Sequence, residues 1–492
     1  MGNAGLFEEN CAILKKELRE GVEILMAKTA RAGNGITEGV IWKQLLLYFF
    51  PILFGSFFQQ LYNTTDAVIV GNFVGKEALA AVGGSTGTLI NLLVGFFVGL
   101  SSGATVIISQ LYGAQRLKEV SDAVHTAVAL SIVGSLILMV IGLIFAPLAL
   151  EAMGTPDDVM GYAVTYIRIY FCGTVFSLFY NMGAGILRAV GDSKRPLYFL
   201  IASCGANILL DLLFVVVFRL EVVGVAIATV LSQVFSAVLV LMTLIRSTEA
   251  YQLVLKRVRF HKEALKQIIR IGLPAGFQSA MYNISNVIIQ SSINSFGTDV
   301  MAAWTAYGKI DCCFWMLMNA FGLSASTFVG QNFGAQNYPR MRKTVRVCMG
   351  MATAATLMLS TALYFFGGMV YRLFTNDTEV IRIGVEILKM LVPTYFTYIC
   401  IEILCSSIRG TGDSVIPTVL TCFGVCVLRV AWIAFAVPVW HSVQTVVFSY
   451  PLTWSVTSIL FILYYLQGGW LRRRIKANGF APEERHTRRK TA

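Results

Sequence analysis

The sequence predicts an all-α polytopic membrane protein, with twelve transmembrane helices in two six-helix lobes related by an internal repeat. Three observations carry that expectation. Of the 492 residues, 56% are hydrophobic and 13% charged, mean hydropathy is +0.69, and the apolar residues gather in runs of about 20, the length that crosses a bilayer. Basic residues concentrate on alternate connections between those runs. Matching segments recur at one fixed separation.

The elements follow in chain order. Residues 1–39 are read as a cytoplasmic extension that lacks the continuous apolar core of a signal peptide. Within it, "LFEENCAILKKELREGVEILMAK" (6–28) suits either a surface amphipathic helix or a disordered segment. The N-terminal lobe is 40–245, with spans near 45–70, 80–111, 122–146, 159–187, 196–218 and 223–245. A cytoplasmic linker, 246–265, is rich in Lys and Arg ("KRVRFHK", 256–262). The C-terminal lobe is 266–470, with spans near 268–295, 300–330, 346–370, 383–408, 415–437 and 445–469. Residues 471–492 form a basic cytoplasmic tail.

Charge sets the orientation. With alternating spans, 31 of the 39 Lys and Arg fall on the side of the N-terminus, the linker and the tail. The opposite loops hold only Lys76, Arg219, Arg372 and Arg382, beside acids such as Asp157, Asp158, Asp377 and Glu379. This is the positive-inside pattern, and it places both termini in the cytoplasm of a multi-pass protein of the cell (plasma or inner) membrane. The net charge of +12 is therefore topogenic, with anionic lipid as a secondary contact. A nucleic-acid partner is not expected. Ten cysteines without paired metal spacing, and only four histidines, read as reduced packing thiols. No HExxH, DDxxD or Ser/His/Asp set is visible, so neither an enzyme nor a cofactor is expected.

The repeat is explicit. "LRAVGDSKRP" (187–196) pairs with "IRGTGDSVIP" (408–417), and "SQLYGAQ" (109–115) with "GQNFGAQ" (330–336), both at an offset of 221 residues. Tyr62-Asn63 and Tyr282-Asn283 agree with it to within one residue. Six spans per repeat is an even number, so both halves insert in the same sense, related by an axis along the membrane normal with a cavity between them. Two such lobes suit alternating access better than a channel, which is usually a ring of subunits.

Charges inside spans are costly, about +2.5 to +3.5 kcal/mol each on insertion scales, so each is a functional candidate. Depth decides which can meet. Asp66 lies a few residues before the Gly71–Gly75 loop, Asp211 eight before Arg219, Thr229 eight after Glu221, and Asn207 one turn deeper than Asp211. All four are in the outer half of the N-terminal lobe. Two carboxylates, an amide oxygen and a hydroxyl form a hard-oxygen set that suits Na⁺ or H⁺, whereas a soft metal would want Cys or His. The alternative is a structural polar network tying spans 1, 5 and 6 together. The second lobe has Asn286 at the position of Asp66, and Leu428 and Trp432 at those of Asn207 and Asp211, so no second equivalent site is expected. It carries instead Lys309, Asp311, Glu402 and Arg429. Lys309 and Asp311 are expected at the cavity mouth, and compensating ion pairs are the expected arrangement, Glu402 with Arg429 among them although depth counting leaves that pair about a turn apart; substrate contact is the alternative. Cavity-wall candidates are Gln59, Tyr62 and Asn63, their counterparts Gln278, Tyr282 and Asn283, and the aromatic and thioether surface of span 8: Trp304, Tyr307, Phe314, Trp315, Met316 and Met318. Such surfaces adapt to varied apolar cations, although each residue singly fits packing as well.

Over about 40–470 the chain resembles the multidrug and toxic compound extrusion (MATE) family, within the wider flippase-related superfamily. The resemblance rests on "YNTTDAVIVG" (62–71), the two GAQ loops, the twin R-x-x-GDS-x-x-P loops and the NxxxD of span 5. It implies a MATE-like fold and a bacterial drug/cation antiporter, exporting amphipathic, often cationic, drugs or toxic organic cations in exchange for Na⁺ or H⁺. It also implies that Asp66, Asn207, Asp211 and Thr229 couple ion entry to efflux. A monomer in the lipid bilayer is expected. The rival readings are a lipid-linked precursor flippase, which would want buried Arg and Lys for a diphosphate headgroup, and a non-transporting sensor or scaffold.

Overall fold

The computed structural model describes residues 36–480; the stretch at 6–28 and residues 481–492 of the basic tail lie outside the described residues. Twelve long helices, with no strand, make up the described residues. They are α1 (Ile41–Phe73), α2 (Lys76–Gly113), α3 (Leu117–Ala152), α4 (Asp157–Ala189), α5 (Lys194–Val217), α6 (Glu221–Arg246), α7 (Lys262–Asn294), α8 (Thr298–Gly334), α9 (Tyr338–Tyr371), α10 (Thr378–Gly410), α11 (Val415–Val439) and α12 (Val443–Gln467). A short α13 (Gly469–Ala477) follows. Eleven of the twelve are apolar enough to cross a membrane on composition alone. The exception is α7, as long as α1 but diluted by Gln278, Ser279, Asn283 and Asn286. Most of the helices overrun their expected apolar runs by a few residues at both ends, whereas α5, α7 and α12 stop one or two residues short at their C-terminal ends.

Repeat-related helices carry matching irregularities. Both α5 and α11 contain a π-helical turn, at Leu212–Val217 and Cys422–Val427. The ends of α2 and α8 close in the same way. Gln115 and Gln336 take left-handed φ of 57° and 56°, while Arg116 N–H and Asn337 N–H reach back to the carbonyls of Leu111 and Asn332. These are Schellman-type caps, which satisfy helix-end carbonyls. The two GDS turns need glycine, with φ of +100° at Gly191 and +90° at Gly412. In the first, Asp192 Oδ1 accepts from Lys194 and Arg195 N–H at 3.1 Å and so caps α5. Burial raises the Asp192 carboxyl above its ordinary value, with those backbone bonds and Arg195 acting against it.

The connections near residues 114–116, 190–193, 247–261, 335–337 and 411–414 share one end of the molecule, here called the basic end. Along the seam between the lobes, α2 meets α7 backbone to backbone. A Cβ on Gly99 would stand 2.7 Å from Gly276 Cα, and one on Gly276 2.6 Å from the Phe96 carbonyl oxygen. Four-residue glycine spacing on both helices (Gly95, Gly99, Gly103; Gly272, Gly276) permits this approach, as small-residue stripes do in bilayers. The repeat-related contact, α8 against α1, is aromatic: Phe49 stacks on Phe321 at 4.1 Å and Tyr48 meets Phe328 edge-on at 5.5 Å. Packing crosses between the lobes in both directions. Ile36, Ile41, Leu45, Tyr48, Phe49 and Ile52 share a core with C-terminal-lobe residues, while Ile268 and Ile271 of α7 share one with the N-terminal lobe. Arg340 of α9 fastens the segment before α1 by donating to the carbonyls of Ile36, Glu38 and Gly39 and to Gln44 Oε1. The linker is docked on α3: His125 Nε2 accepts from Val254 N–H at 3.1 Å, and Thr126 Oγ1 from His261 N–H at 3.1 Å.

Candidate cation site

Depth counting succeeds in the N-terminal lobe. Asp66 sits two turns before the end of α1, Asn207 and Asp211 share a face of α5 just before its π turn, and Thr229 lies two turns into α6. They converge: Thr229 Oγ1 donates to Asp66 Oδ2 at 3.4 Å, and the Asp211 and Asn207 side chains stand beside Asp66. Relative exposures are 5% for Asp66, 0% for Asn207 and Asp211, and 1% for Thr229.

What sets this cluster apart is unmet valence. Asp66 Oδ1, both carboxylate oxygens of Asp211, and both Oδ1 and Nδ2 of Asn207 are buried with no hydrogen-bond partner. Buried polar atoms are normally paired, and an uncompensated buried charge costs several kcal/mol. None of the ion pairs among the described residues supplies a counter-charge. Two neighbouring carboxylates with no basic partner repel each other, and protons or a cation would neutralise them. The donors are all hard oxygens, fitting an alkali cation or H⁺. The described residues contain no group of three or more His, Cys, Asp or Glu that would hold a softer metal.

Tyrosines wall the cluster. Tyr62, one turn from Asp66, and Tyr166 of α4 both stand beside Asp66 and Thr229. Tyr166 stacks on Tyr170 at 6.2 Å, and Gln233 lies next to Tyr170. Sequence reasoning missed Tyr166 and Tyr170. The signal was present, since they are spaced by four and lie nine and thirteen residues into α4, Tyr166 near the depth of Asp66 and Tyr170 near that of Asn207.

The C-terminal lobe corrects several expectations. Asp311 is not at a cavity mouth: it is 8% exposed, its Oδ1 accepts from Tyr395 O–H and its Oδ2 from Trp315 Nε1–H, both at 2.6 Å. Lys309 is exposed; two residues apart on a helix means opposite faces, so the two cannot pair. Glu402 and Arg429 do not pair either. Glu402 accepts from Tyr398 and Ser406, while Arg429 lies 4.0 Å over the Tyr450 ring and donates to Thr453 at 3.2 Å. Neutral partners nearer by take the place of the ion pair.

Among the cavity-wall candidates, Met318 (0% exposed), Tyr307 (2%), Phe314 (0%) and Trp304 (9%) belong to the lobe's own core. Phe314 stacks on Tyr395 at 4.1 Å, and Tyr307 shares a 3.1 Å hydrogen bond with it. Trp315 and Met316 are half-buried. Gln278 is taken up internally, its Oε1 accepting from Arg409 at 2.6 Å and from Thr418. Gln59 and Asn63 are exposed, while Tyr62, Tyr282 and Asn283 are half-buried; Tyr282 O–H meets Tyr398 O–H at 3.5 Å.

Comparison with known proteins agrees with this architecture. The MatE family model matches twice, at residues 51–213 and 274–434, reproducing the internal repeat. The probable multidrug resistance protein YoeA of Bacillus subtilis (strain 168) is 29% identical over 445 residues, covering 88% of this chain and 95% of that protein. The multidrug export protein MepA of Staphylococcus aureus (strain NCTC 8325 / PS 47) is 22% identical over 354 residues, 71% of this chain and 77% of that one. Among solved structures, an outward-facing multidrug resistance MATE family transporter of the MOP superfamily superposes with a TM-score of 0.81, at 24% identity over 90% of this chain and 98% of that chain. A MATE crystal structure in a bent conformation gives 0.81 at 23% identity with the same coverage. At such identity these two likenesses speak to the fold.

Proposed function

Because this chain belongs to the MATE family of multidrug efflux transporters, we propose that it exports amphipathic organic cations in exchange for Na⁺ or H⁺ taken up at Asp66, Asn207, Asp211 and Thr229. The observation that carries the reading is the set of buried, partnerless carboxylate and amide oxygens clustered in the N-terminal lobe; among the described residues of the other lobe no buried carboxylate oxygen lacks a partner. A cation or proton there relieves the repulsion between two carboxylates and supplies the missing partner of Asn207 Oδ1. An organic cation entering the same lobe competes for the same negative charge, which makes the two exclusive. Exchange across the membrane then requires that the ion bind one lobe arrangement more tightly than the other, since equal affinity shifts nothing.

Under this reading the basic end is cytoplasmic, as are both termini, and the transporter works as a monomer in the cell membrane. A flippase would need buried basic residues around a diphosphate; Arg429 is instead engaged by Tyr450 and Thr453, so that reading is not favoured. Drug resistance and ethidium export in cells expressing Asp66→Asn or Asp211→Asn, at matched membrane levels, provide the test. Both variants are expected to lose export, and undiminished export would remove the coupling role.

A further inference from the structure

The two glutamines left over from the GAQ segments have no part in the cation site, yet both are buried and both cross the seam. Gln110 of α2 is 8% exposed and Gln331 of α8 is 1% exposed. Gln110 Nε2–H donates to the Gly410 carbonyl at the end of α10, and Gln331 Nε2–H to the Ala189 carbonyl at the end of α4, each at 2.7 Å. Donors and acceptors are both separated by 221 residues, so the bonds are repeat images of one another, each running from one lobe into the other. Each acceptor is a helix-end carbonyl without an intrahelical partner. One turn further on, the chains touch without side chains: a Cβ on Gly113 would strike the Gln331 backbone and one on Gly334 the Gln110 backbone. Tyr48 adds a third tie, donating to the Arg188 carbonyl at 2.8 Å while meeting Thr327 Oγ1 at 3.1 Å.

We propose that Gln110 and Gln331 form a paired latch that holds the basic ends of the lobes together, and that both bonds must break for the transporter to open on that side. Because the bonds straddle the pseudo-two-fold axis, rocking one lobe against the other lengthens both at once. The latch therefore acts as a single cooperative element. Its closed form leaves two helix ends capped by amides of the opposite lobe; its open form exposes two carbonyls and two amides to water. The inference rests on the alternating-access reading above for its use in transport, but the latch itself is a property of the lobe interface and can fail or stand separately.

Hydrogen–deuterium exchange of the protein in lipid nanodiscs, without drug or ion gradient, tests it. Gln110→Leu and Gln331→Leu are each expected to raise exchange about fivefold, the value of one net hydrogen bond. The rise should appear in segments 186–192 and 407–413 alike, because opening at one bond opens the other. The double variant should exchange roughly 25-fold faster than the parent in both segments. An increase confined to the substituted residue's own contact, 407–413 for Gln110→Leu, would show two separate helix caps and overturn the latch. Gln110→Asn, which keeps the amide but is one methylene too short to reach, should behave as Gln110→Leu does; parent-like exchange in it would also overturn the proposal. Since no transport is measured, loss of the latch leaves the ion-coupling reading standing, and loss of coupling leaves the latch standing.

Discussion

Replacing Gly99 by alanine should loosen the seam between the lobes. A new Cβ would stand 2.7 Å from both Gly276 N and Gly276 Cα and 2.8 Å from the Ala275 carbonyl oxygen. All three are backbone atoms, so no rotamer change relieves the clash, and α2 and α7 must part by roughly 0.7–1 Å to reach ordinary van der Waals separation. Overpacking costs about 1–3 kcal/mol, and against backbone atoms alone it falls in the upper part of that range, about 2–3 kcal/mol, offset by the gain of about 1 kcal/mol that alanine brings over glycine within a helix. The net is a loss of about 1–2 kcal/mol. At about 2–4 °C per kcal/mol for a unit the size of one lobe, the apparent melting temperature of purified protein in detergent should fall by about 2–8 °C. Gly350, inside α9 with nothing within 4 Å of its missing Cβ, is the control: Gly350→Ala should leave the melting temperature unchanged or raise it. A Gly99→Ala protein as stable as the parent, measured beside that control, would refute the backbone-to-backbone seam.

Three further outcomes follow from the same geometry. Met318→Ala should destabilise by about 2–5 kcal/mol, as core truncations do, whereas Gln59→Ala should change stability by less than about 0.5 kcal/mol; equal melting temperatures would return Met318 to a cavity wall. His125→Ala removes the acceptor for Val254 N–H and should speed amide exchange across 250–258 while leaving the C-terminal lobe untouched, which mass-resolved exchange reads directly. Asp192 holds its proton to higher pH folded than unfolded, so its contribution to stability is full below the ordinary aspartate value, near pH 4, and is lost as pH rises through the raised one. Asp192→Asn should flatten the melting-temperature profile just above that pH, and an unchanged slope there would contradict the assignment.

Much of this was legible in the sequence because hydropathy and the repeat act on whole segments. Twelve apolar runs became twelve helices, α7 among them, because the apolar residues of 268–295 outweigh Gln278, Asn283 and Asn286. Asp66, Asn207, Asp211 and Thr229 met because depth is a one-dimensional coordinate that chain position supplies. Direction around the helix axis is different. An aromatic and thioether face such as that of Trp304, Phe314 and Met318 is equally suited to a cavity or a core, and only the arrival of Tyr395 and Trp454 from other helices decided for the core. The same gap explains Glu402 and Arg429: depth counting leaves them about a turn apart but does not say which neighbours each side chain faces, and each found neutral partners nearer by. Exchange of the basic-end halves of α1 and α7 between cores lay beyond any reading of a single helix.

Ethidium efflux from vesicles of purified protein, under an imposed Na⁺ gradient and then under a pH gradient alone, tests the central claim most directly. The account predicts that at least one gradient drives efflux in the parent protein, and that neither does so in Asp211→Asn, whose membrane insertion and folding are matched to the parent. Gradient-driven efflux by Asp211→Asn at the parent rate would contradict it.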